Sequence, residues 1–150
     1  MNVQRAVTPT ITIGDQPTDA DLEALKADGY AAVVNLRHPG EPDQPLSPDA
    51  EGEHVRSLGM DYLHQGVGGA PFTDDGVKAV CDFLDRHASD KVLVHCRKGG
   101  RAVALVLLQQ AKTQGWPADE VLAKGDAMGL KVEGNLRLMV EQYLAQHTDD

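Results

Sequence analysis

Short apolar runs and longer segments of helical periodicity alternate along this chain. The runs of strand length and strand composition are Thr10–Ile13, Tyr30–Leu36, Met60–Val67 and Lys91–His95. Helical patterns occupy Asp19–Asp28, Pro48 towards Gly59, Asp75–His87, Arg101–Gln114, Pro117–Met128 and Gly134–His147. Strands that alternate with helices predict an α/β fold, in which a mostly parallel sheet of four to five strands is flanked by helices.

Polar residues at the segment boundaries support this prediction. Thr18, Ser47 and Thr73 stand where helix N-caps are expected, and Pro48 follows at the favoured first helical position. Gly29 is placed to close the first helix. The residues before Thr10 follow neither period, so we expect an irregular start. No repeat, low-complexity block or linker interrupts the chain, which predicts a single domain over residues 1–150.

The segment Val92–Ala102 concentrates the chemistry of the chain. It reads V-L-V-H-C-R-K-G-G-R-A, so that Cys96 ends an apolar strand and a glycine-rich basic loop follows. The loop and the helix start after it predict an anion site built from Arg97, Lys98, Gly99, Gly100, Arg101 and Ala102, because glycines let backbone N–H groups converge and a helix N-terminus attracts negative charge. Cys96 there should be largely thiolate near neutrality and act as a nucleophile. The alternative is a small buried hydrophobe at a strand end.

Three further residues have a structural interpretation. Cys81 recurs at helical spacing with other apolar residues, which indicates a core position. His95 precedes Cys96 on the strand, where its ring either supports the loop or is a hydrogen-bonded core imidazole. Arg37 ends the second strand at the same sheet edge. It either reaches a substrate anion or forms a structural ion pair with Glu41 or Asp43.

Composition narrows the function class. The 150 residues carry a formal net charge of −9, and basic residues cluster only around Cys96. This distribution argues against nucleic acid and favours a small anionic substrate or a phosphorylated group on a partner. No apolar run approaches the length of a membrane span, and the polar start predicts no export or lipid signal. Two cysteines make no disulfide framework, which predicts the cytoplasm. The six histidines show no metal-ligand spacing, so we expect neither metal nor other cofactor.

Four motifs in order resemble a known family. They are G-D-Q-P-T at Gly14–Thr18, V-V-N-L-R at Val33–Arg37, H-C-R-K-G-G-R at His95–Arg101 and G-W-P-A-D-E-V-L at Gly115–Leu122. The chain is similar to the bacterial phosphatase-like domain of beta-lactamase-hydrolase-like proteins, a compact branch of the cysteine-dependent dual-specificity and tyrosine phosphatase fold. The resemblance implies that Cys96 attacks phosphorus and that Arg101 clamps the phosphate oxygens.

The chain departs from the phosphatase pattern at the general acid. Dual-specificity phosphatases carry an aspartate in the loop after the third strand, whereas Gly66–Pro71 reads G-V-G-G-A-P. Asp74 and Asp75 follow closely and are the candidate catalytic acids, although a carboxylate at a helix start commonly serves the helix dipole alone. His64 is a further candidate.

The second departure is the length of the loop. Only four residues separate Cys96 from Arg101, where the phosphatase signature has five. The Cys-x4-Arg spacing resembles the loop of single-domain rhodaneses, which carry a cysteine persulfide and need no carboxylic acid. A sulfurtransferase is therefore the first alternative to a phosphatase. A non-catalytic oxyanion-binding module is the second alternative.

Overall fold

The computed structural model describes residues 1, 3–129 and 135–146. Its strands are β1 (Gln4–Ala6), β2 (Ile11–Gly14), β3 (Tyr30–Asn35), β4 (Asp61–His64) and β5 (Lys91–His95). Its helices are α1 (Asp19–Ala27), α2 (Pro48–Ser57), α3 (Asp74–Arg86), α4 (Gly100–Gln114), α5 (Ala118–Ala127) and α6 (Leu136–Gln146).

The five strands form one sheet in the order β1-β2-β5-β3-β4. All neighbours are parallel except β1 and β2, so the expected mostly parallel α/β sheet is confirmed. The expectation of an irregular start was wrong at one point, because Gln4–Ala6 forms the antiparallel edge strand β1. That strand is exposed on every residue, and a strand without buried side chains leaves no hydrophobic pattern to detect.

Side chains that alternate along the central strands pack on opposite faces of the sheet. Val33 and Leu93 belong to a core cluster with residues of α1 and α2. Val34 and Val94 belong to the larger cluster, which includes residues of α3, α4, α5 and α6. Because both faces are covered, the apolar runs of β3 and β5 are almost continuous.

Helix starts agree closely with the sequence. The hydroxyls of Thr18, Ser47 and Thr73 each accept a hydrogen bond from a backbone N–H of the first turn. The strand expected over Met60–Val67 is regular only at Asp61–His64. The helix expected over Gly134–His147 corresponds to α6 (Leu136–Gln146). Gly134 and the tail 147–150 lie outside the described residues. None of the helices in the described part is long and apolar enough to span a membrane.

Candidate active site

Cys96 lies directly after β5, between two parallel neighbours. The register sets the preceding residue, His95, opposite Gly14 of β2 and Asn35 of β3. The backbone N–H of Cys96 donates to the Gly14 carbonyl at 3.2 Å, which holds the start of the loop to the sheet. Cys96 is therefore at the carboxyl edge of the sheet, where open α/β proteins place their ligands.

The loop after Cys96 turns back to place one backbone N–H on the sulfur. The N–H of Gly99 donates to Cys96 Sγ at 3.1 Å. Gly99 has φ 106°, a left-handed conformation that favours glycine, and α4 begins at Gly100. Cys96 itself is 1% exposed. The sulfur is thus hydrogen-bonded to the N-cap residue of a fifteen-residue helix, at the positive end of that helix.

Arg101, in the first turn of α4, forms a bidentate ion pair with Glu41. Its Nη1 and Nη2 each lie 2.8 Å from a Glu41 carboxylate oxygen, and Nη1 also donates to the Val67 carbonyl at 3.0 Å. The hydrogen bond to Glu41 raises the pKa of Arg101. Arg101 is therefore a fixed cation beside Cys96.

Glu41 is ionised throughout the neutral range. Partial burial would raise its pKa, but hydrogen bonds from Arg101, the His38 N–H and Arg37 outweigh that effect and lower the pKa to about 2. The carboxylate also accepts from Arg37 Nε at 3.1 Å. One side chain thus joins two arginines, and it cannot supply a proton at neutral pH.

The sequence left two roles open for Arg37, contact with a substrate anion or a structural ion pair. The contacts of Arg37 match the structural ion pair. It is fully buried. Besides Glu41, its guanidinium donates to Gln16 Oε1 at 2.8 Å and to the backbone carbonyls of Pro42 and Asp43. These contacts hold the loop after β3 in place, and every side-chain nitrogen of Arg37 already donates to the protein itself.

His95 begins a series of hydrogen-bonded side chains that ends at Arg101. Its Nε2 lies 2.6 Å from Glu51 Oε2, and both side chains are fully buried. Gln16 Nε2 donates to the other Glu51 oxygen at 2.8 Å, and Gln16 in turn accepts from Arg37. The contacts therefore run without a break from His95 to the Arg37–Glu41 pair and on to Arg101. Of the two alternatives for His95, the hydrogen-bonded core imidazole matches its contact with buried Glu51, and its Nδ1 has no hydrogen-bond partner among the described residues.

The two remaining cations of the loop lie nearer to solvent. Arg97 Nη2 contacts Asp43 Oδ2 at 2.6 Å, and the hydrogen bond lowers the pKa of Asp43. Lys98 is exposed. Gly100 and Ala102 are buried in the first turn of α4. The expected anion-binding residues thus lie in the loop after Cys96 and in the first turn of α4.

Two adjoining cavities open at this loop. The smaller, of about 200 Å³, is lined by Cys96, Arg97, Lys98, Gly100, Arg101 and Leu136. The larger, of about 710 Å³, shares Arg97, Arg101 and Leu136 with it and extends along α6 and the loop after β4. Gly68 has φ 105°, and a Cβ there would come within 3.0 Å of Arg101 Cδ, so glycine lets Arg101 pass.

The aspartates expected to act as acids lie elsewhere. Asp74 and Asp75 occupy the first turn of α3, and neither lines the two cavities around Cys96. Asp74 lines a separate cavity with Cys81 and Trp116. His64 is also turned away, because its Nε2 donates to the Arg37 carbonyl at 2.6 Å. The structure offers no support for an acid role of these three residues.

Cys81 lies apart from the reactive loop. It is buried in α3, and burial raises its pKa to about 11, which agrees with a core position. Among residues 1, 3–129 and 135–146, no group of three or more His, Cys, Asp or Glu side chains is arranged to hold a metal ion. Sequence reasoning missed the importance of Gln16 and Glu51, and treated Glu41 only as a partner of Arg37.

Known proteins share both the sequence pattern and the fold. The model of the family described as "Beta-lactamase hydrolase-like protein, phosphatase-like domain" matches residues 3–113. The Beta-lactamase hydrolase-like protein of Agrobacterium fabrum is 33% identical over 106 residues, which are 70% of this chain and 24% of that protein. The chain spans 24% to 28% of the length of the curated relatives it matches.

Solved structures agree with the family. The DUF442 protein of Shewanella putrefaciens CN-32 is 26% identical, with a TM-score of 0.77 over 95% of this chain and 91% of that one. Tk-PTP in its active form, at 19% identity, shares the fold with a TM-score of 0.77 over 95% of this chain and 96% of that one. The chain therefore belongs to the phosphatase-like domain family of beta-lactamase hydrolase-like proteins and has a phosphatase fold.

Proposed function

We propose that this domain hydrolyses phosphate monoesters, with Cys96 as nucleophile and a small anionic substrate held by the Cys96–Arg101 loop. The observation that carries the proposal is the position of Cys96 Sγ. It accepts the Gly99 N–H at 3.1 Å, and Cys96 lines a cavity of about 200 Å³ together with Arg97, Lys98 and Arg101. A compact oxyanion in that cavity would meet backbone amides, a helix N-terminus and guanidinium groups together.

The proposed reaction has two steps and uses no cofactor. The Cys96 thiolate attacks phosphorus, so that an S–P bond forms while the P–O bond to the organic group breaks. Water then attacks the thiophosphate, which breaks the S–P bond and releases phosphate and the thiolate. Arg101 stabilises the equatorial oxygens, whose charge increases in the transition state. An Arg is suited to this role because its planar guanidinium can bind two oxygens at once.

Glu41 positions Arg101 for this task in our proposal. The guanidinium is held by two 2.8 Å contacts to Glu41 before any ligand arrives. Glu41 is itself held by buried Arg37. A hydrogen-bond donor that is already in position need not be ordered during the reaction. Its stabilisation of the transition state therefore raises kcat.

The leaving group decides which esters react quickly. Glu41 is the one carboxylate that lines either cavity around Cys96 in the described chain, and its pKa of about 2 keeps it ionised. Without a carboxylic acid to protonate the departing oxygen, we expect aryl phosphates to react faster than alkyl phosphates, since phenolates leave without a proton.

Sulfur transfer is the second candidate. It is favoured because Glu41 is ionised and cannot act as an acid. The Cys96 thiolate would attack the outer sulfur of thiosulfate, which forms a persulfide and releases sulfite. Cyanide would then take the outer sulfur as thiocyanate and restore the thiolate. Neither step needs a carboxylic acid.

One pair of assays tests the proposal. Purified protein receives p-nitrophenyl phosphate in one assay and thiosulfate with cyanide in the other, each beside Cys96→Ser, with Cys81→Ser as the matched cysteine control. We expect phosphate release that disappears in Cys96→Ser and persists in Cys81→Ser. Thiocyanate formation with that same pattern would replace hydrolysis by sulfur transfer. Protection of Cys96 from iodoacetamide by phosphate, without either turnover, would identify an oxyanion-binding module.

A further inference from the structure

The larger cavity beside Cys96 exceeds what a phosphate group needs. The small cavity of about 200 Å³ contains Cys96, whereas the adjoining cavity measures about 710 Å³. Arg97, Arg101 and Leu136 line both, so the two cavities adjoin at the cationic end. A phosphate monoester bound at Cys96 would therefore place its organic group in the larger space.

The larger cavity changes character away from the arginines. Apolar side chains from three segments line it, namely Pro42, Ala70, Pro71, Leu136, Leu138 and Met139. Leu138 is 51% exposed and is the one large hydrophobic residue exposed to this degree in the described chain. Water-exposed apolar surface in a concave site is the part that gains free energy when an apolar ligand covers it.

The same cavity is poorly built for a second phosphate. The described residues that line it include no Lys or Arg besides Arg97 and Arg101. Those two guanidiniums already pair with Asp43 and Glu41. A second phosphate on the substrate would find no further Lys or Arg there and would face the ionised Glu41 carboxylate, and unpaired charge at a partly desolvated site is costly.

We propose that this site selects a molecule with a single phosphate on a bulky apolar group, and that Leu138 and Met139 of α6 contact the apolar part. The proposal rests on the proposed function only for the place of the phosphate, at Cys96. The cationic end and the apolar end are joined by Leu136, so one amphiphilic ligand can satisfy both. Both an aryl group and an alkyl chain have the required chemistry.

Binding of phosphonates, whose C–P bond resists hydrolysis, tests this selection without turnover. Calorimetry of the wild-type protein would compare methylphosphonate with hexylphosphonate and 1-naphthylmethylphosphonate, and inorganic phosphate with tripolyphosphate. We expect at least one bulky phosphonate to bind about tenfold more tightly than methylphosphonate, because its apolar part leaves water. Tripolyphosphate should bind no more tightly than phosphate. The preference for naphthyl or hexyl then distinguishes an aryl from an alkyl occupant.

Substitutions on one helix locate the effect. Leu138→Ser should reduce the preference for the bulky phosphonate about fivefold and leave methylphosphonate binding unchanged. Leu144→Ser is the matched control, because Leu144 lies on the same helix but lines the cavity that contains Cys81. Circular dichroism checks that both variants fold.

The outcomes separate the two proposals. Equal affinities for methyl and bulky phosphonates, or a preference that Leu138→Ser leaves intact, would overturn the selection proposed here. Tighter binding of tripolyphosphate than of phosphate would overturn it as well. A clear phosphonate preference in a protein that does not hydrolyse p-nitrophenyl phosphate would refute only the hydrolysis.

Discussion

A single carboxylate connects the two arginines on which the site depends. Glu41 accepts from Arg37 and pairs bidentately with Arg101, which lies sixty residues further along the chain. Such a contact can act in two ways on an incoming oxyanion. It holds the guanidinium in a reactive position, and it also competes for the same N–H groups. The two effects change different kinetic constants, so they can be separated.

Glu41→Gln should lower kcat for p-nitrophenyl phosphate about 10- to 100-fold while KM stays equal or falls, because a misplaced guanidinium costs transition-state stabilisation whereas loss of a negative charge favours anion binding. Steady-state kinetics at one pH measure both constants. Asp43→Asn is the control, since it removes the exposed partner of Arg97, and we expect changes within about twofold. A kcat that rises in Glu41→Gln would show that Glu41 only competes with substrate.

At the scale of elements, the start of α4 defines the anion site. Gly99 occupies the N-cap position with φ 106°, and its N–H bonds Cys96 Sγ. A Cβ at Gly99 would meet Val3 at 3.4 Å, an ordinary contact, so the requirement for glycine is conformational. The other end of α4 offers a comparison, because Gly115 has φ 72° and a Cβ added there would have no described atom within 4 Å.

Gly99→Ala and Gly115→Ala should each lower the free energy of unfolding by about 1–3 kcal/mol, since both force alanine into the left-handed region. Only Gly99→Ala should weaken the protection of Cys96 from iodoacetamide by phosphate, because only that residue shapes the loop. Urea unfolding and alkylation kinetics measure the two effects. Equal protection in both variants would mean that the loop geometry does not create the oxyanion site.

At the scale of the whole molecule, a buried polar chain joins elements that are distant in sequence. His95 ends β5, Glu51 belongs to α2, Gln16 precedes α1, and Arg37 follows β3. These hydrogen-bonded side chains connect to Arg101 through Glu41. A buried polar group that loses its hydrogen-bond partner is costly, so we expect substitution within this series to destabilise the fold.

Glu51→Ala should lower the free energy of unfolding by about 2–5 kcal/mol, because it leaves the fully buried His95 ring without its partner and removes one acceptor of Gln16. Glu53→Ala, an exposed position on the same helix, should stay within about 0.5 kcal/mol of the wild type. Denaturant unfolding followed by circular dichroism compares the two variants. Equal stabilities of the two would show that the buried chain contributes little to the fold.

Local patterns in the sequence determined most of the elements and the place of the reactive loop. Alternating apolar runs, the caps at Thr18, Ser47 and Thr73, and the glycine-rich segment after Cys96 act over a few residues, so a single stretch of chain contains the whole signal. Edge strand β1 was missed because an exposed strand of three residues buries no side chain.

Tertiary structure alone decided the partners of the site. The ion pairs of Glu41 with Arg37 and Arg101 depend on how loops from different strands meet at one sheet edge. The same holds for the position of Asp74 and Asp75 away from Cys96. The path from His95 through Glu51 and Gln16 to Arg37 likewise has no local signature. Hydrogen bonds and ion pairs form between atoms a few ångströms apart, whatever their separation in sequence, so only the folded chain specifies them.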